Sequence, residues 1–237
     1  MRDMMPGPVA AVADEAVYVS KTLTKFLSAV GALPAAVLVD LGPAIGSNIS
    51  FLGERFGCKI HVGDVYADLD RHTREGTFDR FLEFLARRFS LSDGSVDAVL
   101  CWDIFDYLGS AAGDVLAAEL MRLLRPGGQL LGFFGARASE EIRYTKYFIE
   151  DESHLRLRYG FYTGACRRRW ALQSRDLDSL FHGLQLSDSI LMTPRPARCC
   201  SASEPPQISI RLFQRDPAHR IGRLGGCGQR GRTPVSG

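Results

Sequence analysis

The feature that most constrains the fold is a glycine-containing turn that directly follows a short apolar run. Residues 36–39 are apolar throughout, Asp40 ends the run, and Gly42 and Gly46 follow. A continuous apolar run of this length is typical of a strand that is covered on both faces of a parallel sheet. Glycine has no Cβ, so it permits a sharp turn and the close approach of a ligand. We therefore expect this strand to end beside a ligand site.

The remainder of the chain alternates short apolar runs with amphipathic stretches. This order predicts parallel βαβ units joined by right-handed crossovers, which build a doubly wound α/β sheet with helices on both faces. Two later strands, at 184–192 and 207–213, are joined by a Pro- and Ser-rich connection, so we expect antiparallel neighbours at one edge. The other expected strands are 58–62, 96–101 and 129–134, and the expected helices are 48–56, 67–89 and 116–124.

The segments on either side of this pattern differ from it. Apolar residues at helical spacing between residues 15 and 31 predict a helix, so residues 1–35 are expected to form an N-terminal helical extension. Residues 36–216 are expected to form the α/β domain. The tail, residues 217–237, holds four arginines, no acid and many glycines, which predicts a disordered basic segment.

Composition limits the classes of partner. The chain has 237 residues, 46% of them hydrophobic, and a net charge of +2. Without the four arginines of the tail, 25 basic residues face 27 acidic ones, so no nucleic-acid partner is expected. The sequence shows no membrane-spanning run and no signal-peptide pattern, which predicts a cytoplasmic protein without a membrane partner. The six cysteines include no CxxC pair, so we expect reduced thiols and no metal site.

The acid that ends the second expected strand complements the glycine turn. Ligands of open α/β sheets bind outside the carboxyl ends of the strands. Free N–H groups at the helix start near Ser47 favour an anionic group, and Asp64, 22 residues past Gly42, can accept both hydroxyls of a ribose. Together they predict a nucleoside-containing ligand. A dinucleotide is disfavoured, because Ala44 and Ser47 stand where its fingerprint has glycine.

Three stretches resemble one enzyme family. Residues 40–46, of the form D-x-G-x-A-x-G, resemble the first motif of the class I S-adenosylmethionine-dependent methyltransferases, with Ala44 in place of the middle glycine. SVDAVLCWDIFDYL at 95–108 is similar to the fourth strand of the family and the loop after it. LAAELMRLLRPGGQLLGFF at 116–134 is similar to the next helix, turn and fifth strand. The order and spacing of these stretches match over about 100 residues.

The resemblance implies S-adenosylmethionine as the cofactor. It also implies a Rossmann-like, mostly parallel, seven-stranded-type sheet with an antiparallel edge strand. Asp40 would lie near the amino group of the methionine part, and Asp64 would hold the ribose. The other implied cofactor contacts are Gly42, Pro43, Ala44 and Gly46 along the methionine part, Val65 and Tyr66 beside the adenine, and Trp102 and Asp103 facing the substrate.

Methyl transfer from a sulfonium is an in-line displacement, in which alignment of the nucleophile, the methyl group and the sulfur supplies most of the acceleration. A general base helps only when the acceptor must lose a proton. Asp103 and Asp106 are the candidate catalytic residues, although Asp106 could equally cap a helix at 107–108. The other titratable candidates are His61, His72 and His154, and none of them lies in a motif that fixes it as a base.

The sequence departs from the family in two places. Residues 74–95 contain no clear third strand, and Asp79 and Asp93 are the nearest candidates for the acid that contacts the adenine amino group. CWDIFDYL at 101–108 differs from the N-P-P-Y motif of enzymes that methylate nucleic-acid bases or protein glutamine, so base methylation is not expected.

Three other stretches allow two interpretations each. The apolar stripe Phe78, Leu82, Leu85 and Phe89 suits a helix packed on the sheet better than an acceptor pocket. Arg167–Trp170 suits a solvated basic run better than a site for an anionic acceptor. The aromatic residues between Tyr144 and Tyr162 fit either a lid over the acceptor or ordinary packing.

The sequence therefore predicts a methyltransferase with a small-molecule acceptor. The main alternative is a non-catalytic S-adenosylmethionine-binding partner or regulatory protein of the same fold. A nicotinamide-dependent oxidoreductase and an RNA-binding protein that uses the arginine tail are further alternatives.

Overall fold

The computed structural model describes residues 15–135, 143–161, 172, 174–182, 184–192 and 207–214. The first 14 residues, the Arg167–Trp170 run and the basic tail lie outside these described residues, and the predictions made for them stay predictions.

The described residues form nine strands and six helices. The strands are β1 (Glu15–Val19), β2 (Val37–Asp40), β3 (Lys59–Val62), β4 (Val96–Trp102), β5 (Leu124–Gly135), β6 (Arg143–Ile149), β7 (His154–Phe161), β8 (Leu184–Met192) and β9 (Gln207–Gln214). The helices are α1 (Lys21–Gly31), α2 (Gly46–Phe56), α3 (Val65–Arg74), α4 (Phe78–Leu85), α5 (Ser110–Leu123) and α6 (Ser174–Leu180), with a 3₁₀ turn at Ile104–Asp106.

The main sheet has the strand order β3-β2-β4-β5-β9-β8. Strands β2 to β5 pair in parallel, which confirms the doubly wound prediction. Strands β8 and β9 are antiparallel neighbours at one edge, also as predicted. Strand β9, which also pairs antiparallel with β5, lies between β5 and the edge strand β8.

The number of strands differs from the seven-stranded type that the resemblance implies. In the described part of the chain this sheet has six strands, and β3 forms its other edge. Two helices, α3 and α4, occupy the stretch between β3 and β4, where the family would place its third strand. The charged, helix-periodic sequence of this stretch explains the difference, because it supplies one apolar stripe for a helix and no continuous apolar run for a strand.

Both faces of the main sheet are covered, as predicted. Alternate residues of β2 divide between the faces: Leu38 packs with α1 and α2, and Val39 packs with α3, α4 and α5. The apolar stripe that begins at Phe78 packs on the same face of the sheet as Val39, where Leu85 and Phe89 are buried. The structure thus favours packing over an acceptor pocket for this stripe.

A second sheet, which we call the accessory sheet, consists of β1, β7 and β6 in that order. All of its pairings are antiparallel, and β6 and β7 form a hairpin. The sequence analysis assigned no structure to β6 and β7. The signal was present as strict alternation, because Leu155, Leu157 and Tyr159 are buried and the arginines between them are not.

The predicted helix over residues 15–31 begins only at Lys21. Ser20 is its N-cap, and the Oγ of Ser20 accepts a hydrogen bond from the Leu23 backbone N–H at 3.1 Å. Residues 15–19 instead form β1 and pair with β7, so the helical prediction was wrong for this part. Its alternating, β-branched and aromatic sequence EAVYV suits a strand whose inner face alone is covered.

No helix in the described part of the chain is both long enough and apolar enough to cross a membrane.

Candidate active site

The glycine turn lies where β2 and β4 end side by side. Asp40 is buried, and its Oδ1 accepts hydrogen bonds from the Gly42 backbone N–H at 2.9 Å and from Trp102 Nε1 at 2.5 Å. A Cβ on Gly42 would lie 2.5 Å from Cδ1 of the indole, which is closer than any real contact. Gly42 is therefore needed here because the Trp102 ring lies against it, and the close approach of a ligand at this glycine stays a prediction.

Burial gives the Asp40 carboxyl unusual acid–base behaviour. Removal from water, with a smaller contribution from the charge of Asp64, raises the pKa of Asp40 from 3.8 to about 6, although the hydrogen bonds from Trp102 and Gly42 oppose the shift. A carboxylate that is costly to ionise gains stability from a nearby cation. Asp40 is thus suited to the ammonium or sulfonium group of a ligand.

Trp102 closes this part of the site. Its backbone is in the left-handed region, with φ of 49°, which is rare for a residue with a bulky side chain. The indole stacks on Tyr147 of β6 at a centroid distance of 5.2 Å and on Phe133 of β5 at 6.0 Å. A strained residue held by its surroundings at the end of a strand is typical of a functional position.

Helix α2 begins directly after the turn with its first backbone N–H groups uncapped by a side chain. The N-cap is Ile45, which has no polar side-chain atom, and Gly46 is the first helical residue. No described atom lies within 4 Å of the position that a Cβ on Gly46 would take. The helix start is therefore open on this side, and its N–H groups favour an anionic group such as a carboxylate.

The turn after β3 is tied to the turn after β4. Asp64 is the N-cap of α3, and its Oδ1 accepts from the Ala67 backbone N–H at 3.1 Å. The next two residues, Val65 and Tyr66, are buried, and the Tyr66 hydroxyl donates to Asp103 Oδ1 at 2.5 Å. Burial and the Asp103 charge raise the pKa of Tyr66 well above its ordinary value, so the hydroxyl keeps its proton and donates a hydrogen bond to the carboxylate.

Both candidate catalytic acids are fully buried. Asp106 Oδ2 accepts from the Gly135 backbone N–H at 2.9 Å, so it joins the loop after β4 to the end of β5 rather than capping residues 107–108. Asp103 is the N-cap residue of the 3₁₀ turn and contacts Tyr66. The two acids lie in one loop at the carboxyl end of the sheet, next to the glycine turn.

Three of the other titratable candidates already have side-chain partners. His72 Nδ1 lies 2.9 Å from Thr77 Oγ1 at the end of α3, and His154 pairs with Asp151 in the β6–β7 turn. Asp93 forms an ion pair with Arg122 at 2.5 Å, so this candidate for the adenine contact already has a partner. His61 lies on the edge strand β3, and Asp79 lies in the first turn of α4.

Strand β6 covers the glycine turn, since Thr145 and Tyr147 lie beside Pro43 and Ile45. The sequence analysis had left a lid and ordinary packing open for this aromatic stretch and predicted no strand in it. The cavity left under it has a volume of about 10 Å³, which is room for one water molecule. Ligand pockets are usually some 300 Å³ or more, so S-adenosylmethionine needs space that this arrangement does not provide. The polar groups fit the cofactor, but Trp102 or β6 must move to admit it. The residues around the cavity are Pro43, Ile45, Tyr66, Trp102, Thr145 and Tyr147.

A larger cavity of about 270 Å³ lies on the other side of the loop that follows β4. Its walls come from that loop, from the start of α5 and from α6. Its floor is apolar and its mouth carries two serines and two acids. The lining residues are Phe105, Leu108, Gly109, Ser110, Gly113, Asp114, Leu172, Asp176, Ser179 and Leu180.

Several solved structures are similar to this chain. One is 1,6-didemethyltoxoflavin-N1-methyltransferase from Burkholderia thailandensis, with 1,6-didemethyltoxoflavin and S-adenosylhomocysteine bound (15% identity, 83% of this chain, 78% of that chain, TM-score 0.48). Another is the N-methyltransferase NodS from Bradyrhizobium japonicum (15% identity, 82% and 94%, TM-score 0.46). A third is an S-adenosylmethionine-dependent methyltransferase from Clostridium acetobutylicum (13% identity, 83% and 92%, TM-score 0.46).

The sequence itself matches one family model. No curated protein matches this chain with significant similarity. Residues 39–132 match the model described as "Methyltransferase domain", a stretch that holds the glycine turn, Asp64 and the loop after β4. This match, on a chain with a doubly wound sheet, confirms the predicted resemblance to the class I S-adenosylmethionine-dependent methyltransferases.

Proposed function

We propose that this protein transfers a methyl group from S-adenosylmethionine to a small-molecule acceptor. The observation that carries the proposal is the cavity of about 270 Å³ beside the loop that follows β4. The same loop begins with Asp103, next to Trp102, at the predicted cofactor site. A cavity of this size, just below the usual range for ligand pockets of about 300 Å³ or more, suits a small acceptor.

The lining of this cavity favours a neutral or cationic acceptor over an anionic one. Phe105, Leu108 and Leu180 offer an apolar surface for a ring or an alkyl chain. Asp114 and Asp176 add two carboxylates at the mouth, and the described lining residues include no lysine or arginine. Two carboxylates without a basic residue repel an anion and attract a cation.

We assign the cofactor contacts by combining the resemblance with this geometry. Asp40 would face the amino group of the methionine part, and the open helix start at Gly46 would face its carboxylate. Asp64 would hold the ribose. The remaining proposed contacts are Gly42, Pro43 and Ala44 in the turn, Val65 and Tyr66 on the adenine side, and Trp102 and Asp103 toward the acceptor.

Alignment is the main catalytic contribution that we propose for the protein. When bound, S-adenosylmethionine supplies an electrophilic methyl group on a sulfonium. The chain then has to hold the acceptor in line and keep water out, which the apolar cavity and the buried loop would do. Asp103 is the proposed proton acceptor for acceptors that must lose a proton, and Asp106 would support it by fixing the loop to Gly135.

The first test is calorimetric titration of the purified protein with S-adenosylhomocysteine and, as a control, NAD. We expect micromolar binding of the sulfur nucleoside and none of NAD. Asp64→Asn should weaken this binding while it preserves the helix cap, because asparagine caps helices as well as aspartate does. Glu83→Gln, an exposed acid on the next helix, is the matched control and should leave the affinity unchanged.

The second test uses S-adenosylmethionine carrying a radiolabelled methyl group and a cell extract separated by size. We expect label in the small-molecule fraction, and less of it with Asp64→Asn. Label in protein or RNA would contradict a small-molecule acceptor. Cofactor binding with no transfer to any fraction would instead favour the non-catalytic alternative of the same fold.

A further inference from the structure

Asn48, in the first turn of helix α2, joins the segment after the glycine turn to the accessory sheet. Its side chain is buried. Nδ2 donates to the Tyr147 carbonyl oxygen at 2.8 Å, and Oδ1 accepts from the Ile149 backbone N–H at 2.9 Å. These are the two bonds that a neighbouring strand would make, so one amide side chain pairs with the outer edge of β6.

The residue held in this way carries the ring that covers the cofactor site. The Tyr147 side chain points inward and is 3% exposed. Its ring stacks on Trp102 at 5.2 Å and on Phe133 at 5.1 Å. Trp102 in turn donates to Asp40. The contacts therefore run without a break from Asn48 through Tyr147 to the carboxylate at the glycine turn.

Strand β6 also contacts the main body at the turn itself, where the ring of Tyr144 packs edge-on against Tyr66 at 5.5 Å. Two polar contacts of the accessory sheet lie farther from the turn. The Ser20 backbone N–H donates to the Ser153 carbonyl at 2.8 Å, and Arg55 forms an exposed ion pair with Glu152. Both involve the β6–β7 turn, away from the start of β6. Separation of β6 from α2 at Asn48 would thus open the small cavity without detaching the sheet.

We propose that Asn48 is a positioning residue whose two hydrogen bonds latch β6 over the cofactor site. Release of this latch is the step that admits the cofactor, and its closure buries the methionine part under Tyr147. The inference rests on the proposed function for the identity of the ligand, but the latch itself is a property of the free protein.

The test is stopped-flow fluorescence with S-adenosylhomocysteine as the probe, on the full chain carrying Trp170→Phe, so that Trp102 supplies the signal. In this background the observed association rate should reach a plateau at high concentration, because latch release limits it. Asn48→Ala should raise the plateau about 30-fold, the factor that two hydrogen bonds of ordinary net strength supply. Arg55→Gln is the matched control, since it breaks an exposed contact between the same two parts, and should change the plateau less than twofold.

A second variant and a second measurement separate the latch from general loss of structure. Tyr147→Leu removes the stacked ring but leaves both hydrogen bonds of Asn48 in place, because they go to backbone atoms, so the plateau should rise much less than in Asn48→Ala. An observed rate that rises linearly with concentration, with one slope for wild type and Asn48→Ala, would overturn the proposal.

Amide hydrogen exchange tests the latch without any ligand. In the free protein, Asn48→Ala should speed exchange in β6 while β4 keeps its protection. Equal exchange of β6 in both proteins would overturn the latch. Absence of any binding signal in all variants, with fast exchange of β6 in Asn48→Ala, would count against the proposed function and leave the latch standing as a structural device.

Discussion

The carboxyl edge of the main sheet and the accessory sheet contribute different things to the same site. The main sheet supplies Asp40, the glycine turn and the loop after β4, and all of these lie within the residues that match the family model. The accessory sheet supplies Thr145 and Tyr147, and its strands lie outside that match. The comparison teaches that the predicted cofactor residues lie in the part of the chain that matches the family model, whereas the strand that covers them lies outside it.

The largest effect should come from the cover itself. Tyr147→Ala removes a buried ring that stacks on two others, and truncation of a large core aromatic costs about 3–5 kcal/mol. We expect a loss of this size in the free energy of unfolding, measured by urea denaturation. A loss below about 1 kcal/mol would mean that the accessory sheet contributes little to stability and that the comparison above is wrong.

The two glycines of the turn should respond in opposite ways. Gly42→Ala places a Cβ 2.5 Å from the Trp102 ring, so it should destabilise the fold by about 1–3 kcal/mol. Gly46→Ala meets no described atom within 4 Å and lies in a helix, so it should be neutral or stabilising by up to about 1 kcal/mol. Thermal denaturation of the pair checks both signs. Equal effects would show that Trp102 does not lie against Gly42 in solution.

Cofactor affinity should depend on the protonation of Asp40. Because its pKa is about 6 in the folded protein, the carboxylate is present above that pH and is lost as the pH falls through it. A cationic ligand that faces Asp40 should therefore bind about tenfold more weakly for each pH unit below 6. Calorimetry with S-adenosylhomocysteine between pH 5 and 8 measures this slope, and Asp40→Asn should abolish it. A flat profile for the wild type would remove Asp40 from the site.

The smallest effect should come from the ion pairs on the outer face of the accessory sheet. Arg158 contacts Glu15 across β7 and β1 at 2.5 Å, but both side chains are more than a third exposed. Solvent screens such pairs, so Arg158→Gln should change the free energy of unfolding by less than about 0.5 kcal/mol. A loss above 2 kcal/mol would show that charge, and not the buried inner face, holds this sheet in place.

The main sheet could be predicted from the sequence because its signals are local. Each strand is an apolar run that ends in a turn, and Asp40, Gly46 and Asp64 stand at the turns where a parallel sheet gathers its ligand groups. The accessory sheet could not be predicted in this way. Helical spacing continued from α1 back through Val19, and the alternation of β7 was not recognised between two stretches without clear periodicity.

The contacts inside the site were also beyond sequence analysis. Trp102 lies against Gly42, and Tyr66 contacts Asp103, in each case across a long stretch of chain that only the folded sheet brings together. Asn48 shows no motif at all, since its role depends on the edge of a strand about 100 residues later. Spacing can predict which residues gather at a sheet edge, but not which of them fill the space there.

The pairing of β1 with β7 has a consequence for how the protein folds. Glu15 and Arg158 are 143 residues apart in sequence, yet they face each other across this pairing. Contacts between such distant segments carry the largest loop-closure cost and form late. We therefore expect the accessory sheet to assemble last, on a main sheet that is already in place, so that the chain completes its cofactor groups before it acquires the strand that covers them.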